Sequence, residues 1–234
     1  MMRFNSASNE WTSITDLFAN AMAQTGDGVV VLSTEGPVLQ DSSSTWREIS
    51  RGNRDHVAAL HAVTASDAWM AGEDRISHAG RVRHWNGTDW TLQQLPPNTG
   101  RRTSIWIRPS NVEGYAGGDQ VVHWVNGSWQ VEPFAQNTSA IFGNNGGQYI
   151  WFLGAGATAF DIIGNTTFSP PSAAGYSLAA GTVSSHVWAV GANGVTIRWD
   201  GQTWTPVTSN TSVNLRGIWG GGSDTWAVGG RQIV

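Results

Sequence analysis

The chain has 234 residues, 40% of them hydrophobic and 13% charged, with 13 arginines, no lysine, no cysteine and a net charge of −4. That hydrophobic share builds a core and excludes a disordered chain, the lack of cysteine excludes a disulfide framework and a thiolate metal site, and the negative balance excludes a general nucleic-acid binder. No apolar run approaches the ~18 residues of a membrane span, and residues 1–20 lack the basic start and apolar run of a signal peptide. A cytoplasmic protein, a mature form without its leader and export by another route all fit, an extracellular or cell-surface placement being preferred.

With 29 glycines and 14 tryptophans, the composition suits short strands and tight turns. In chain order, Met2-Arg3-Phe4 and Glu10-Trp11-Thr12 read as two short strands. A first unit, 12–46, follows, with strands near 14–21, 29–33, 37–41 and around Trp46. The second, 47–90, is the longest. The third, 91–129, carries Val121-Val122-His123-Trp124 and then Asn126-Gly127-Ser128-Trp129. The fourth, 130–168, is degenerate, with Asp161-Ile162-Ile163-Gly164 as third strand and Phe168 where the others close on Trp. The fifth, 169–204, is the clearest: His186-Val187-Trp188-Ala189-Val190-Gly191, a turn, Thr196-Ile197-Arg198-Trp199, a tight turn, then Trp204. The sixth is 205–234.

Two landmarks mark this repeat. A strand with a large apolar residue running into Gly or another small residue recurs at Val30, Trp69, Tyr115, Trp151, Trp188 and Trp226; a closing aromatic recurs at Trp11, Trp46, Trp90, Trp129, Phe168 and Trp204, all at intervals of 35–46 residues. Six units of about 39 residues result. The chain stops before the sixth is complete, and the segments around Arg3 and Trp11 match the missing third and fourth strands. The expected fold is therefore all-β: a six-bladed β-propeller, four antiparallel strands per blade, closed by N-terminal strands that complete the last blade. A linear solenoid would need polar caps.

Local chemistry fits this plan. Asn86-Gly87, Asn126-Gly127 and Asp200-Gly201 read as tight hairpins needing positive φ. Gly72, Gly191 and Gly229, ending second strands, are expected to permit the turn to the third. Asp67 and Asp224 are expected to cap turns through backbone N–H groups. Nearly all the tryptophans are expected between blades. His84 and His123 occupy a third-strand column that holds Arg3 and Arg198 elsewhere, so a solvated strand position is expected rather than a metal site. No cofactor motif is present.

Trp188 to Gly194 followed by Arg198 to Trp204 resembles the repeats of sialidase-type Asp-box propellers and of photosystem II assembly-factor-like propellers. The hairpin Trp199-Asp200-Gly201-Gln202-Thr203-Trp204 is also similar to repeats of bacterial fucose-binding propeller lectins, which implies sugar sites between blades. The sialidase resemblance implies an arginine cluster, a Tyr nucleophile and two carboxylates. Tyr115 and Tyr149 fall on or beside core positions, Ile107-Arg108-Pro109 lies in the wrong blade context, and no carboxylate pair is identifiable.

One irregularity stands above the repeat. Residues 47–108 hold nine of the 13 arginines and net +3, while the remainder is −7. The excess length of the second unit lies in Glu73 to Gly80. In an up-and-down blade the second-to-third loops and the blade-joining loops share a face, so Arg51, Arg54, His56, Asp74, Arg75, His78, Arg101 and Arg102 are expected to line one rim of blades two and three. Insertions beyond a repeat are where function tends to sit. The expected role is non-catalytic binding of a carbohydrate, with a protein-interaction scaffold as the alternative and sialidase-type hydrolysis as a distant third. Arg would supply bidentate bonds to an acidic glycan, a carboxylate ligand or an acidic protein surface.

Overall fold

The computed structural model describes residues 2–5, 10–13, 19–24, 29–33, 38–42, 45–50, 55–109, 112–143, 150–154, 159–161, 166–168, 176–183, 186–200, 203–221, 224–229 and 232–233, with side chains chiefly between 55 and 154 and between 187 and 218. The strands are short and all pairings are antiparallel. An N-terminal hairpin, β1 (Met2–Asn5) with β2 (Glu10–Ser13), precedes a four-stranded sheet of β3 (Ala19–Gln24), β4 (Val29–Ser33), β5 (Val38–Ser42) and β6 (Thr45–Ser50). The next two sheets repeat the plan: β7 (Asp55–Thr64), β8 (Asp67–Asp74), β9 (Gly80–Trp85) and β10 (Trp90–Leu92), then β11 (Arg102–Ile107), β12 (Glu113–Gly118), β13 (Gln120–Val125) and β14 (Ser128–Gln136).

The degenerate fourth unit is split into two pairs, β15 (Thr138–Gly143) with β16 (Ile150–Gly154) and β17 (Ala159–Asp161) with β18 (Thr166–Phe168). Its expected third strand at 161–164 thus begins earlier, and residues 162–165 lie outside the described ones. The fifth sheet is β19 (Tyr176–Val183), β20 (His186–Gly191), β21 (Thr196–Trp199) and β22 (Trp204–Pro206); the last is β23 (Leu215–Gly221), β24 (Asp224–Gly229) and β25 (Gln232–Ile233).

First strands lie beside first strands in chain order, β3 on β7, β7 on β11, β11 on β15, β15 on β19 and β19 on β23. Each four-stranded sheet then runs outward from that strand to its fourth. This is the β-propeller arrangement, and it explains why second strands are apolar on both faces: Ala68 to Gly72 and Ile150 to Gly154 are continuously buried between neighbouring sheets. The core is accordingly a set of inter-blade clusters. Trp69 packs against Trp124 and Trp129 of the next blade, with ring centroids 5.6 and 6.0 Å away. Trp151 meets Trp199 and Trp204 in the same way at 5.2 and 5.6 Å.

One local device recurs in all six described first strands. The pairing slips by one residue at Ala19/Ala21, Val57/Ala59, Arg102/Ser104, Thr138/Ala140, Tyr176/Leu178 and Leu215/Gly217, a β-bulge opposite the end of the second strand. At this bulge the carbonyls of His56, Arg101, Asn137 and Asn214 press on Gly72, Gly118, Gly154 and Gly229, where a built Cβ would fall well inside van der Waals contact of each oxygen. The glycine ending a second strand is there for that close approach. At Gly72 and Gly229 this corrects the expectation that the glycine serves the turn to the third strand, whereas Gly191 does open that turn, its N–H donating to Val195 O at 2.9 Å.

The hairpins divide likewise. Asn126 (φ 52°) and Gly127 (φ 77°) form the expected two-residue turn with both φ positive. The other two are four-residue loops. The Asn86 side-chain oxygen accepts from the N–H groups of Thr88 and Asp89, both at 2.9 Å, and Asp200 accepts from Thr203 N–H at 2.8 Å. Asn86 and Asp200 are therefore side-chain caps.

Candidate binding rim of blades two and three

The loop between β8 and β9 is built on Asp74. Its Oδ1 accepts from the N–H of Ile76 (3.0 Å), the N–H of Ser77 (2.9 Å) and the Ser77 hydroxyl (3.0 Å), and its Oδ2 from Arg81 Nη2 (3.2 Å). These donors, the Ser77 and Ile76 backbone first, hold its carboxyl well below the usual range. Two backbone bonds, Asp74 N–H to Ala79 O and His78 N–H to Asp74 O, both 2.9 Å, close the loop, with His78 at φ 55°. Asp74 thus spends its oxygens on its own loop.

Beside it, Asp55 at the start of β7 is buried. Arg83 Nε donates to its Oδ2 at 2.6 Å, and Arg81 Nε stands 3.8 Å from its Oδ1. His78 Nδ1 lies 3.2 Å from Glu73 Oε2, and both His78 and Arg75 are exposed. His56 is exposed on β7 opposite Glu73. Arg51 and Arg54 lie outside the described residues.

On the third blade, Arg101 is exposed and donates from its backbone N–H (3.1 Å) and Nε (3.2 Å) to Asp119, which sits in the turn between β12 and β13. Arg102 departs from expectation. It is 1% exposed, and its guanidinium donates inward to the carbonyls of Thr99, Gly100 (3.2 Å), Ala116 (3.3 Å) and Gln120 (2.5 Å). Burial lowers its pKa to about 10. Its place on the bulge corresponds to Val57 and Leu215, both buried. Arg102 is therefore a structural clamp and is removed from the ligand-facing set.

The two blades do meet at this rim: a Cβ built on Gly80 would collide with the Gly100 carbonyl, and one on Gly100 (φ 69°) with the Asp119 carboxylate. Beside this contact, along the edge of β9 and the segment after β10, lies a cavity of about 380 Å³ lined by residues 79–81 and 92–100. Sequence reasoning missed Asp55, Arg81 and Asp119 as members of this network. Aligning the repeats would have placed Asp119 in the same turn as the Asp74 loop.

The His column is also corrected. The His84 ring stacks on Trp69 at 4.1 Å and its Nε2 is 2.8 Å from Asp67 Oδ1, which also accepts from Trp69 Nε1 at 3.0 Å. Asp67 therefore binds two side chains in place of the expected backbone cap. His123 stacks on Tyr115 at 4.2 Å, with Nδ1 2.8 Å from Glu132 and Nε2 3.2 Å from Glu113; Arg198 lies 5.6 Å over Trp188. The column caps inter-blade aromatics and is only partly solvated. Arg108 donates to Glu113 (2.9 Å from Nε), and the Tyr115 hydroxyl donates to Glu113 at 3.0 Å. Burial first, then Glu113, raises the Tyr115 pKa, the direction opposite to that of an activated nucleophile. Among the described residues no cluster of three or more His, Asp or Glu could hold a metal ion, and no helix is long and apolar enough to cross a membrane.

No protein-family model and no curated protein matches the sequence. Solved structures do match in fold. One described as YCF48 from Cyanidioschyzon merolae superposes with a TM-score of 0.72 at 18% identity, covering 96% of this chain and 84% of that one. Another, YCF48 bound to D1 peptide, gives 0.68 at 19% identity, covering 95% of this chain and 80% of the other. Of the resemblances read from the repeats, these neighbours support the assembly-factor-like propeller.

Proposed function

We propose that this propeller is a non-catalytic protein-interaction module that binds a partner polypeptide through the rim of blades two and three. The observation that carries the reading is that the fold is shared, over nearly the whole chain, with a propeller bound to a peptide. The rim supplies exposed Arg75 and His78 on the loop held by Asp74, Arg101 bonded to Asp119, and His56 on β7, with Arg51 and Arg54 adjoining in sequence. The carbohydrate reading draws no support from the neighbours and stands behind this one.

The test is a peptide library and a glycan array probed in parallel with the intact chain and with an Arg54→Ala/Arg75→Ala/Arg101→Ala variant. Peptide binding that the triple variant loses, with an unchanged melting temperature, is the expected result. Binding confined to glycans reverses the order of the two readings.

A further inference from the structure

We infer that the guanidinium of Arg198, lying over Trp188 in the fifth sheet, is a binding site for a carboxylate supplied from outside the chain. The site is distinct from the rim of blades two and three and does not rest on the reading given to that rim.

One column of the repeat matches bases with acids. Cross-strand register sets Gln40 opposite Val30, His84 opposite Trp69, His123 opposite Tyr115 and Arg198 opposite Trp188. Where the column holds a base in blades two and three, the second strand begins with an acid two residues before its aromatic. His84 Nε2 stands 2.8 Å from Asp67 Oδ1, and His123 Nε2 3.2 Å from Glu113 Oε1. His123 has a second carboxylate, Glu132, 2.8 Å from Nδ1. In the first sheet the column holds uncharged Gln40, and the residue two before Val30 is Gly28.

The fifth sheet keeps the base and lacks the acid. The place of Asp67 and Glu113 is taken by His186, at the start of β20. The place of Glu132, three residues after the closing Trp, is taken by Val207. Arg198 is left with the Trp188 ring, 5.6 Å away. That contact attracts the charge but satisfies none of the guanidinium N–H donors. Arg198 Nε is shut off from water and has no hydrogen-bond partner among the described residues.

A buried donor left unpaired is costly, and an acceptor that reaches it removes the cost. The equivalent places in blades two and three show which acceptor the repeat accommodates, a carboxylate, whose two oxygens also match the guanidinium fork. The place is open to one. Arg198 and Trp188 are half-buried, and Thr205, paired with Arg198 on the outer strand, is exposed. Arg198 stands two residues before the Asp200 hairpin, toward the face opposite the charged rim.

The experiment uses the full chain labelled with 15N-arginine and follows the Nε–H resonances. The probes are sodium acetate, sodium chloride and sodium phosphate at constant ionic strength, and two capped pentapeptides, Gly-Gly-Glu-Gly-Gly and Gly-Gly-Gln-Gly-Gly. The Arg198 signal is identified by its loss in Arg198→Gln, a side chain that the first sheet carries in this column. Acetate and the Glu peptide are expected to shift it saturably, acetate with a Kd on the order of 1–10 mM, while chloride, phosphate and the Gln peptide leave it in place. Val207→Glu, at an exposed position, restores a carboxylate where Glu132 stands in blade three. It is expected to weaken acetate binding about tenfold without lowering the melting temperature. An Arg198 signal that neither carboxylate moves overturns the site. So does an equal shift from chloride or phosphate, or acetate binding unchanged by Val207→Glu. A Glu peptide that binds tenfold or more tighter than acetate supports a polypeptide side chain as the source, and equal affinities support a small free carboxylate. All these outcomes leave the rim reading to its own triple variant.

Discussion

At the scale of single residues, the crowded glycines and a half-buried histidine lead to the sharpest expectations. Gly72 and Gly127 are both glycines beside a turn, for different reasons. At Gly72 the His56 carbonyl occupies the space a Cβ needs; at Gly127 nothing lies within 4 Å and only the positive φ demands glycine. Gly72→Ala should cost ~2 kcal/mol or more by overpacking, and Gly127→Ala ~1 kcal/mol of backbone strain, as compared in urea unfolding. His61 on β7 is held neutral: burial lowers its pKa from 6.5 to about 4, against the opposing pull of its hydrogen bond to the Ile107 backbone. The unfolded chain then binds the extra proton first, so stability is lost as pH falls from about 6.5 to about 4, by at most ~3 kcal/mol. The checking measurement is the difference in melting temperature between wild type and His61→Phe across that window; it should shrink on acidification as the wild type weakens, and a constant difference would refute the assignment.

At the scale of elements, strands were more legible than the reasons for their ends. Val29–Ser33 stands where its apolar run and the repeat landmark at Val30 put it, whereas the first strand of that unit runs from Ala19 to Gln24, later than expected. Asn126-Gly127 was readable because a two-residue turn leaves no other option. Asn86 and Asp200 differ in loop length: each opens a four-residue loop closed by its side chain, although Gly87 keeps the expected positive φ of 94°. The rim was legible as a location, since charge accumulates where the repeat is interrupted. Its division of labour was not. Arg102 adjoins exposed Arg101 in a joining loop and looks equally solvated; only register shows that it stands on a bulge position filled elsewhere by Val57 and Leu215. Arg102→Leu therefore belongs with core changes. It strands four carbonyls in a buried site and should cost ~3 kcal/mol, against less than ~1 kcal/mol for Arg101→Ala, whose ion pair with Asp119 is exposed.

At the scale of the whole molecule, ring closure is our proposal. The register of β1 on β2 pairs Phe4 with Trp11 and Arg3 with Thr12, as β21 on β22 pairs Trp199 with Trp204 and Arg198 with Thr205. If β1 and β2 complete a sixth and last blade, Arg3 takes the place of Arg198 and meets Trp226 as Arg198 meets Trp188, with Asp224 where Asp67 serves Trp69. A double-mutant cycle on Arg3→Ala and Trp226→Ala should then show a coupling of ~0.5–1 kcal/mol. Strict additivity would place the N-terminal hairpin elsewhere.

The repeated kink in the innermost strands has a further consequence. Each described first strand bends at the same bulge beside the first strand of the next sheet, whatever side chains it bears, and four of them wedge a carbonyl against a glycine of their own second strand. Sectors are thus interchangeable parts joined by a common fitting, and a gene could duplicate, delete or shuffle one without redesigning those beside it. The outward loops are then free to diverge, which is how one sector could acquire a long charged loop while its counterparts stayed short.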